Sequence, residues 1–137
     1  MTREMTLAID CGGGGIKGSV VDERGTMIAP PHRVPTPYPL PPELLVDTAV
    51  GLARELPAAT RVTMGMPGMI RHGVVIATPH YITRDGPRSR VLPELVERWD
   101  HFDMGSAIEQ ALGLPTKVLN DAEVAGAGAI TGRGLEM

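Results

Sequence analysis

Apolar residues fall along this chain in short runs, and the runs change period. Thr6 to Asp10 is a compact apolar segment followed by glycines, which reads as a strand. Ile16 to Val21 reads as a second strand, turned at Asp22-Glu23-Arg24-Gly25, and Thr26 to Val34 as a third. The connections are too short for crossover helices, so the three form an antiparallel meander. Pro35 to Pro42 holds five prolines in eight residues, a stiff extended connector. At Pro41-Pro42-Glu43 the period becomes helical, with Leu44, Leu45, Ala49, Leu52, Ala53 and Leu56 at helix spacing.

Val62 to Met66 is the next buried strand, cut by Pro67-Gly68, and Gly73 to Ala77 another. Residues 78–90 carry Pro79, Gly86, Pro87 and many polar groups, which predicts a mobile loop. Leu92 to Trp99 reads as a helical turn or more. Ser106 to Leu112 is helical and stops at Gly113, a C-cap signal. Thr116 to Leu119 is a strand, and Ala122 to Ile130 a helix of small residues. The order β-β-β-α-β-β-α-β-α predicts an α/β fold: a ribonuclease-H-like lobe whose mixed five-stranded sheet carries helices on both faces.

Composition narrows the function. A length of 137 residues suits one domain. Hydrophobic residues make up 42% but aromatics only 3%, so aliphatic side chains and Met must fill the core. The net charge of −3, with no basic run, argues against nucleic-acid binding. No apolar run is long enough to span a bilayer, and no h-region precedes the first strand. The single cysteine, Cys11, excludes an internal disulfide, and no Cys/His cluster has metal spacing; a reducing cytoplasm fits. Cys11 reads as a small buried apolar residue.

Candidate chemistry lies in two motifs about a hundred residues apart. In Asp10-Cys11-Gly12-Gly13-Gly14-Gly15-Ile16-Lys17, a sharply turning backbone can aim successive N–H groups at one anion. Lys17 adds a cation, and Asp10 can hold Mg²⁺ through water. The plainer alternative is a flexible hairpin turn. The spacing fits neither a Rossmann fingerprint nor a P-loop, because a strand follows instead of a helix. In Val118-Leu119-Asn120-Asp121, a buried strand ends in an amide and a carboxylate. Ligands of open α/β sheets bind beyond the carboxyl ends of strands, where Asp121 could act as a general base and Asn120 could bind hydroxyls. Helix capping is the alternative, since Asn and Asp are favoured N-caps, and both roles can coexist.

The remaining polar residues point to no second chemistry. His32, His72, His80 and His101 are scattered and read as exposed loop histidines. Ser19, Ser89 and Ser106 lack a nucleophile-elbow context. Met64, Met66 and Met69 read as core. Arg84, Arg88 and Arg90 form a small basic group on a solvated face, which could also draw in phosphate.

The two motifs, in this order and at this separation, resemble the repressor/open-reading-frame/kinase (ROK) family of sugar kinases, bacterial glucokinases and polyphosphate-using glucokinases above all. A central motif matches as well: Met64-Gly65-Met66-Pro67-Gly68, then Arg71-His72-Gly73. The family's Asn-Asp-Ala-(Asp/Glu)-x-Ala-Gly is matched by Asn120 to Gly126. The resemblance implies an actin/hexokinase-type fold and phosphorylation of a glucose-like hexose at its 6-hydroxyl by ATP or polyphosphate with Mg²⁺. It implies Asp121 as catalytic base and Gly65, Gly68, Asn120 and Asp121 beside the sugar. Asp10, Gly12, Gly13, Gly14 and Lys17 become the phosphate hairpin, with no metal ligand set of the chain's own.

Three departures stand out. Gly14 occupies a position where the family usually has Thr or Ser. Thr78-Pro79-His80 stands near the place of an Ala-Asn pair. The family's second lobe has no counterpart in these 137 residues. The expectation is therefore an N-terminal lobe over residues 1–137, inactive in isolation and open to self-association through uncovered apolar surface. A non-catalytic sugar- or phosphate-binding module, or pseudokinase, is the alternative. With few residues ahead of the first strand, no DNA-binding segment is expected there.

Overall fold

A computed structural model describes residues 4–86 and 88–121. Its main sheet has five strands in the order β3-β2-β1-β4-β8. These are β1 (Thr6–Cys11), β2 (Gly15–Val21), β3 (His32–Pro35), β4 (Arg61–Met66) and β8 (Thr116–Asn120). β1, β2 and β3 pair antiparallel, whereas β4 runs parallel to both β1 and β8. The sheet is mixed, as the short meander followed by crossovers requires. A second sheet, β5-β6-β7, is built from Met69–Arg71, Val74–Ala77 and Phe102–Asp103.

The helices are α1 (Pro42–Arg54), α2 (Pro93–Trp99) and α3 (Met104–Leu112). α1 starts with Pro at its first turn, where the missing N–H costs nothing, and buries Leu45, Ala49 and Leu52. Asp103 caps α3 by accepting from the Ser106 N–H, and Gly113 closes it in the left-handed conformation at φ 69°. α1 and α3 touch each other and share one face of the main sheet. That face carries Leu7, Ile9, Cys11, Ile16, Val20, Val62, Met64 and Val118, all buried. On β2 it also carries Gly18, where an added Cβ would come within 3.4 Å of Leu52 on α1, so helix and sheet are in close contact. The expected helix over Ala122–Ile130 lies outside the described residues.

Four expectations change. The third strand covers His32–Pro35 instead of Thr26–Val34; Met27 makes only an isolated bridge to Val21. Pro30 and Pro31 intervene, and prolines cannot donate to a ladder. β5 and β7, with three and two residues, are too short to leave a periodic signature. Met69 is 61% exposed, because the chain reverses at Pro67-Gly68 and leaves the face that buries Met64 and Met66. The loop over 78–90 is pinned at its start: Thr78, Tyr81 and Thr83 are all buried.

Candidate active site

Because β1, β4 and β8 run parallel, their carboxyl ends share one edge of the sheet. The register puts Asp10 beside Gly65 and Met66 beside Asn120. Three separate segments meet there: the glycine turn after β1, the Pro67-Gly68 turn after β4, and Asn120-Asp121 at the end of β8. Sequence spacing alone could not bring them together; the two parallel crossovers do.

The glycine turn is narrow. Gly12 N–H donates to the Gly15 carbonyl at 2.9 Å, closing the hairpin between β1 and β2. Its outer carbonyls are taken by side chains from distant segments. Gly12 O accepts from Thr36 Oγ1 at 2.9 Å and from the Tyr81 hydroxyl at 2.8 Å. Gly13 O accepts from the Tyr38 hydroxyl at 2.7 Å, and Gly14 O from the Thr36 N–H at 3.4 Å. Among the described residues, the N–H groups of Gly13 and Gly14 donate to no protein acceptor. The turn therefore presents two amide donors while its carbonyls are occupied, which is the polarity of an anion-binding nest.

Charge surrounds this turn unevenly. Asp10 and Lys17 are exposed cross-strand neighbours, and Lys17 in turn pairs with Arg33 on β3. The Arg33 guanidinium lies over Gly15: a Cβ there would stand 2.4 Å from it, so any side chain at 15 would displace the arginine. Gly14 is different. A Cβ added there meets nothing within 4 Å, so the family's hydroxyl side chain would fit the space.

Cys11 ends β1 directly behind the turn and is fully buried. Burial pushes its thiol well above the ordinary range, and the negative charges of Asp10 and Asp121 push it further. A thiol so disposed is packing, not a nucleophile. Asp10 on β1 and Asp121 just past β8 both stand exposed at this strand edge. They are oxygen donors of the kind Mg²⁺ takes alongside phosphate oxygens and water.

At the second turn, Gly68 has φ 117°, open only to glycine without strain. A Cβ there would fall 2.1 Å from the Ala77 carbonyl oxygen and 2.9 Å from Thr78 Cα. Thr78, itself buried, donates its hydroxyl to the Pro67 carbonyl at 2.9 Å. Asn120 donates its side-chain amide to the Gly68 carbonyl. Gly68 and Asn120 line an open cavity of about 510 Å³ together with Met69, Ile70, Ala77 and Pro79. Asp121 directly follows Asn120 and is exposed. A cavity of about 360 Å³ lined by His72, Asp103, Glu109 and Lys117, among others, includes none of the candidate phosphate or sugar residues.

The ROK family model matches residues 6–134. The chain belongs to the ROK family. N-acetylmannosamine kinase of Escherichia coli K12 is 34% identical over 122 residues, covering 88% of this chain and 37% of that kinase. Among solved structures, the inorganic polyphosphate/ATP-glucomannokinase of Arthrobacter sp. strain KM superposes with a TM-score of 0.73 at 32% identity, over 98% of this chain and 51% of that one. The ROK glucokinase of Streptomyces griseus, in complex with glucose and AMPPNP, gives 0.70 at 29% identity, over 95% and 38%. The chain thus spans between about a third and a half of these relatives. The ROK assignment also accounts for the ribonuclease-H-like strand order.

Sequence reasoning missed Thr36, Tyr38 and Tyr81. A signal was present in the composition. The chain has only four aromatic residues, one Phe, one Trp and two Tyr. All four stack in one row, Tyr38–Tyr81–Trp99–Phe102, with successive centroids 6.4, 5.7 and 6.2 Å apart. The row begins at the glycine turn.

Proposed function

We propose that this chain is the N-terminal lobe of a sugar kinase. It would transfer the terminal phosphoryl group of ATP or polyphosphate to the 6-hydroxyl of a hexose of glucose type. The observation that carries the reading is the shared strand edge, which brings a turn with two unclaimed amides, the Gly68–Asn120 cavity and Asp121 to neighbouring strand ends. In this reading the sugar occupies that cavity, with Asn120, Gly65 and Gly68 beside it. Asp121 takes the proton of the attacking hydroxyl as its oxygen bonds to phosphorus. The bond from phosphorus to the leaving oxygen breaks, and that oxygen keeps the electron pair. The Gly13 and Gly14 amides and Lys17 hold the donor's phosphates, Gly12 closes the turn that presents those amides, and Asp10 would act through water on Mg²⁺. Bound Mg²⁺ would neutralise developing charge on those phosphates.

The names of the relatives support both donors and more than one hexose. Glucose, mannose and N-acetylmannosamine are therefore the sugars to compare. Among the described residues no helix is long and apolar enough to cross a membrane. A cytoplasmic setting, where sugar and donor are both present, follows from this reading.

The test is phosphoryl transfer by the full-length protein. Asp121→Asn is expected to lower kcat about 10²- to 10⁴-fold while the sugar KM changes little. The isolated 137-residue chain is expected to give no measurable sugar phosphate, since closing the cleft needs a second lobe. Full activity of Asp121→Asn would remove the carboxylate from the mechanism. It would favour the binding-module reading to which Gly14 lends some weight.

A further inference from the structure

We propose that Tyr81, assisted by Tyr38, is a positioning residue that ties the sugar side of the site to the phosphate turn. The inference rests on the kinase reading above. It starts from a continuous line of contacts. Asn120 bonds to the Gly68 carbonyl. Gly68 stands against the backbone of Ala77 and Thr78 too closely for any side chain. Thr78 bonds back to Pro67 O, and its own carbonyl accepts from the Tyr81 N–H at 3.0 Å. The Tyr81 hydroxyl then reaches Gly12 O at 2.8 Å, across 69 residues of sequence.

Each joint in this line is short, and its middle members Thr78 and Tyr81 are buried. Tyr81 is fully buried, with its ring between those of Tyr38 and Trp99. Trp99 is fixed in turn by donating its indole N–H to Leu40 O at 2.8 Å. Leu40 and Tyr38 belong to the proline-rich connector, so that segment and the 78–81 turn grip the glycine turn from two directions. A stretch of four glycines has little rotational preference of its own. Here the preference comes from outside: hydroxyl donors hold the carbonyls of Gly12 and Gly13, and this leaves the Gly13 and Gly14 amides to face an anion. The hydroxyls never touch the donor. They act through the peptide groups they orient.

The same line makes the two halves of the site interdependent. A sugar that orders Asn120 and the Gly68 turn also orders the 77–81 segment, and through Tyr81 the phosphate turn. Donor binding is therefore expected to be tighter with sugar present, and that difference is expected to pass through the Tyr81 hydroxyl.

The experiment compares wild type, Tyr81→Phe, Tyr38→Phe and the double variant as full-length protein. The Phe variants keep the ring packing, so folding is expected to survive; thermal melting checks it. Three quantities are read: sugar affinity without donor, inorganic tripolyphosphate affinity with and without sugar, and the KM for ATP. Tyr81→Phe is expected to weaken tripolyphosphate binding and raise the donor KM about fivefold, and the double variant about tenfold or more. Sugar affinity without donor stays within about twofold, and the gain in tripolyphosphate affinity on adding sugar shrinks. Unchanged donor constants in the double variant would overturn the proposal, as would equal weakening of sugar and donor. Failure of the wild type itself to bind tripolyphosphate or ATP would instead overturn the phosphate-hairpin reading, and the proposal with it.

Discussion

The glycine turn after β1 and the Pro67-Gly68 turn after β4 stand at neighbouring strand ends and are held in opposite ways. The first is open at its tip, where a Cβ on Gly14 would meet nothing, and its shape is imposed by hydroxyls from residues 24 to 69 positions away. The second is closed: its glycine is forced by a carbonyl 2.1 Å from where a side chain would begin. Glycine at the first turn frees backbone for a ligand. Glycine at the second makes room for the chain itself. Two runs that read alike as glycine signals thus have different physical causes, and substitution separates them.

Gly68→Ala should have the largest effect. It combines a positive-φ backbone with a clash against backbone that has no flexible end to move aside. A loss of about 3 kcal/mol or more is expected, from left-handed strain and overpacking together. Urea unfolding of the variant checks it. A loss below about 1 kcal/mol would mean that β6 can yield, and that the contrast between the turns is one of degree.

The second test lies on the glycine-turn side and uses pH. Burial raises the Tyr81 phenol above its ordinary value of 10.0, with smaller contributions from Cys11, Tyr38, Asp121 and Asp10. Burial, then Asp10 and Asp121, raises the Cys11 thiol above 9.0. The folded chain therefore keeps protons on Cys11 and Tyr81 that the unfolded chain releases as pH rises, and partly buried Tyr38 adds to the phenol part. Stability from both groups is fully present below about pH 9 and declines above it, by about 1.4 kcal/mol per pH unit for each group. The urea midpoint should fall between pH 8 and 10.5. Tyr81→Phe should flatten the part of that fall above pH 10 and leave the earlier Cys11 part. An identical profile for the variant would mean that the hydroxyl is solvated and does not clamp the turn.

Much of the frame was legible because it follows local rules. A compact apolar run beside glycines marked β1, a run ended by a turn marked β2, helical spacing marked α1, and Gly113 marked the end of α3. The meander and crossovers were enough to infer a mixed five-stranded sheet. What stayed unread depends on long-range partners. Tyr81 lies in a stretch rich in proline, glycine and charge that reads as a solvated loop, and its burial, ring contacts and bond to Gly12 show otherwise. Gly68 reads as a turn residue, whereas its constraint comes from Ala77, nine positions on in the sequence. Met69 reads as core with Met64 and Met66, yet the reversal at Pro67-Gly68 takes it to the surface. The motif residues of the site were findable because their chemistry is local. Their supports were not, because a hydroxyl gives no sign in sequence of which carbonyl it will meet.

Gly14→Thr is the mildest change and the sharpest control on the comparison. The open space at 14 and its ordinary backbone admit a side chain, and a residue with a Cβ restricts the unfolded chain more than glycine does. The expected stability change is therefore no more than about 0.5 kcal/mol in either direction, against the large loss at 68. The added hydroxyl would lie beside the Gly13 and Gly14 amides, where it can donate to a bound phosphate. A donor KM lowered about fivefold is the expected gain from one such hydrogen bond. Tight folding with an unchanged donor KM would leave the turn open but put the phosphate elsewhere, detaching the nest from the donor. Clear destabilisation would mean that the tip is constrained after all, and that both turns need glycine for the same reason.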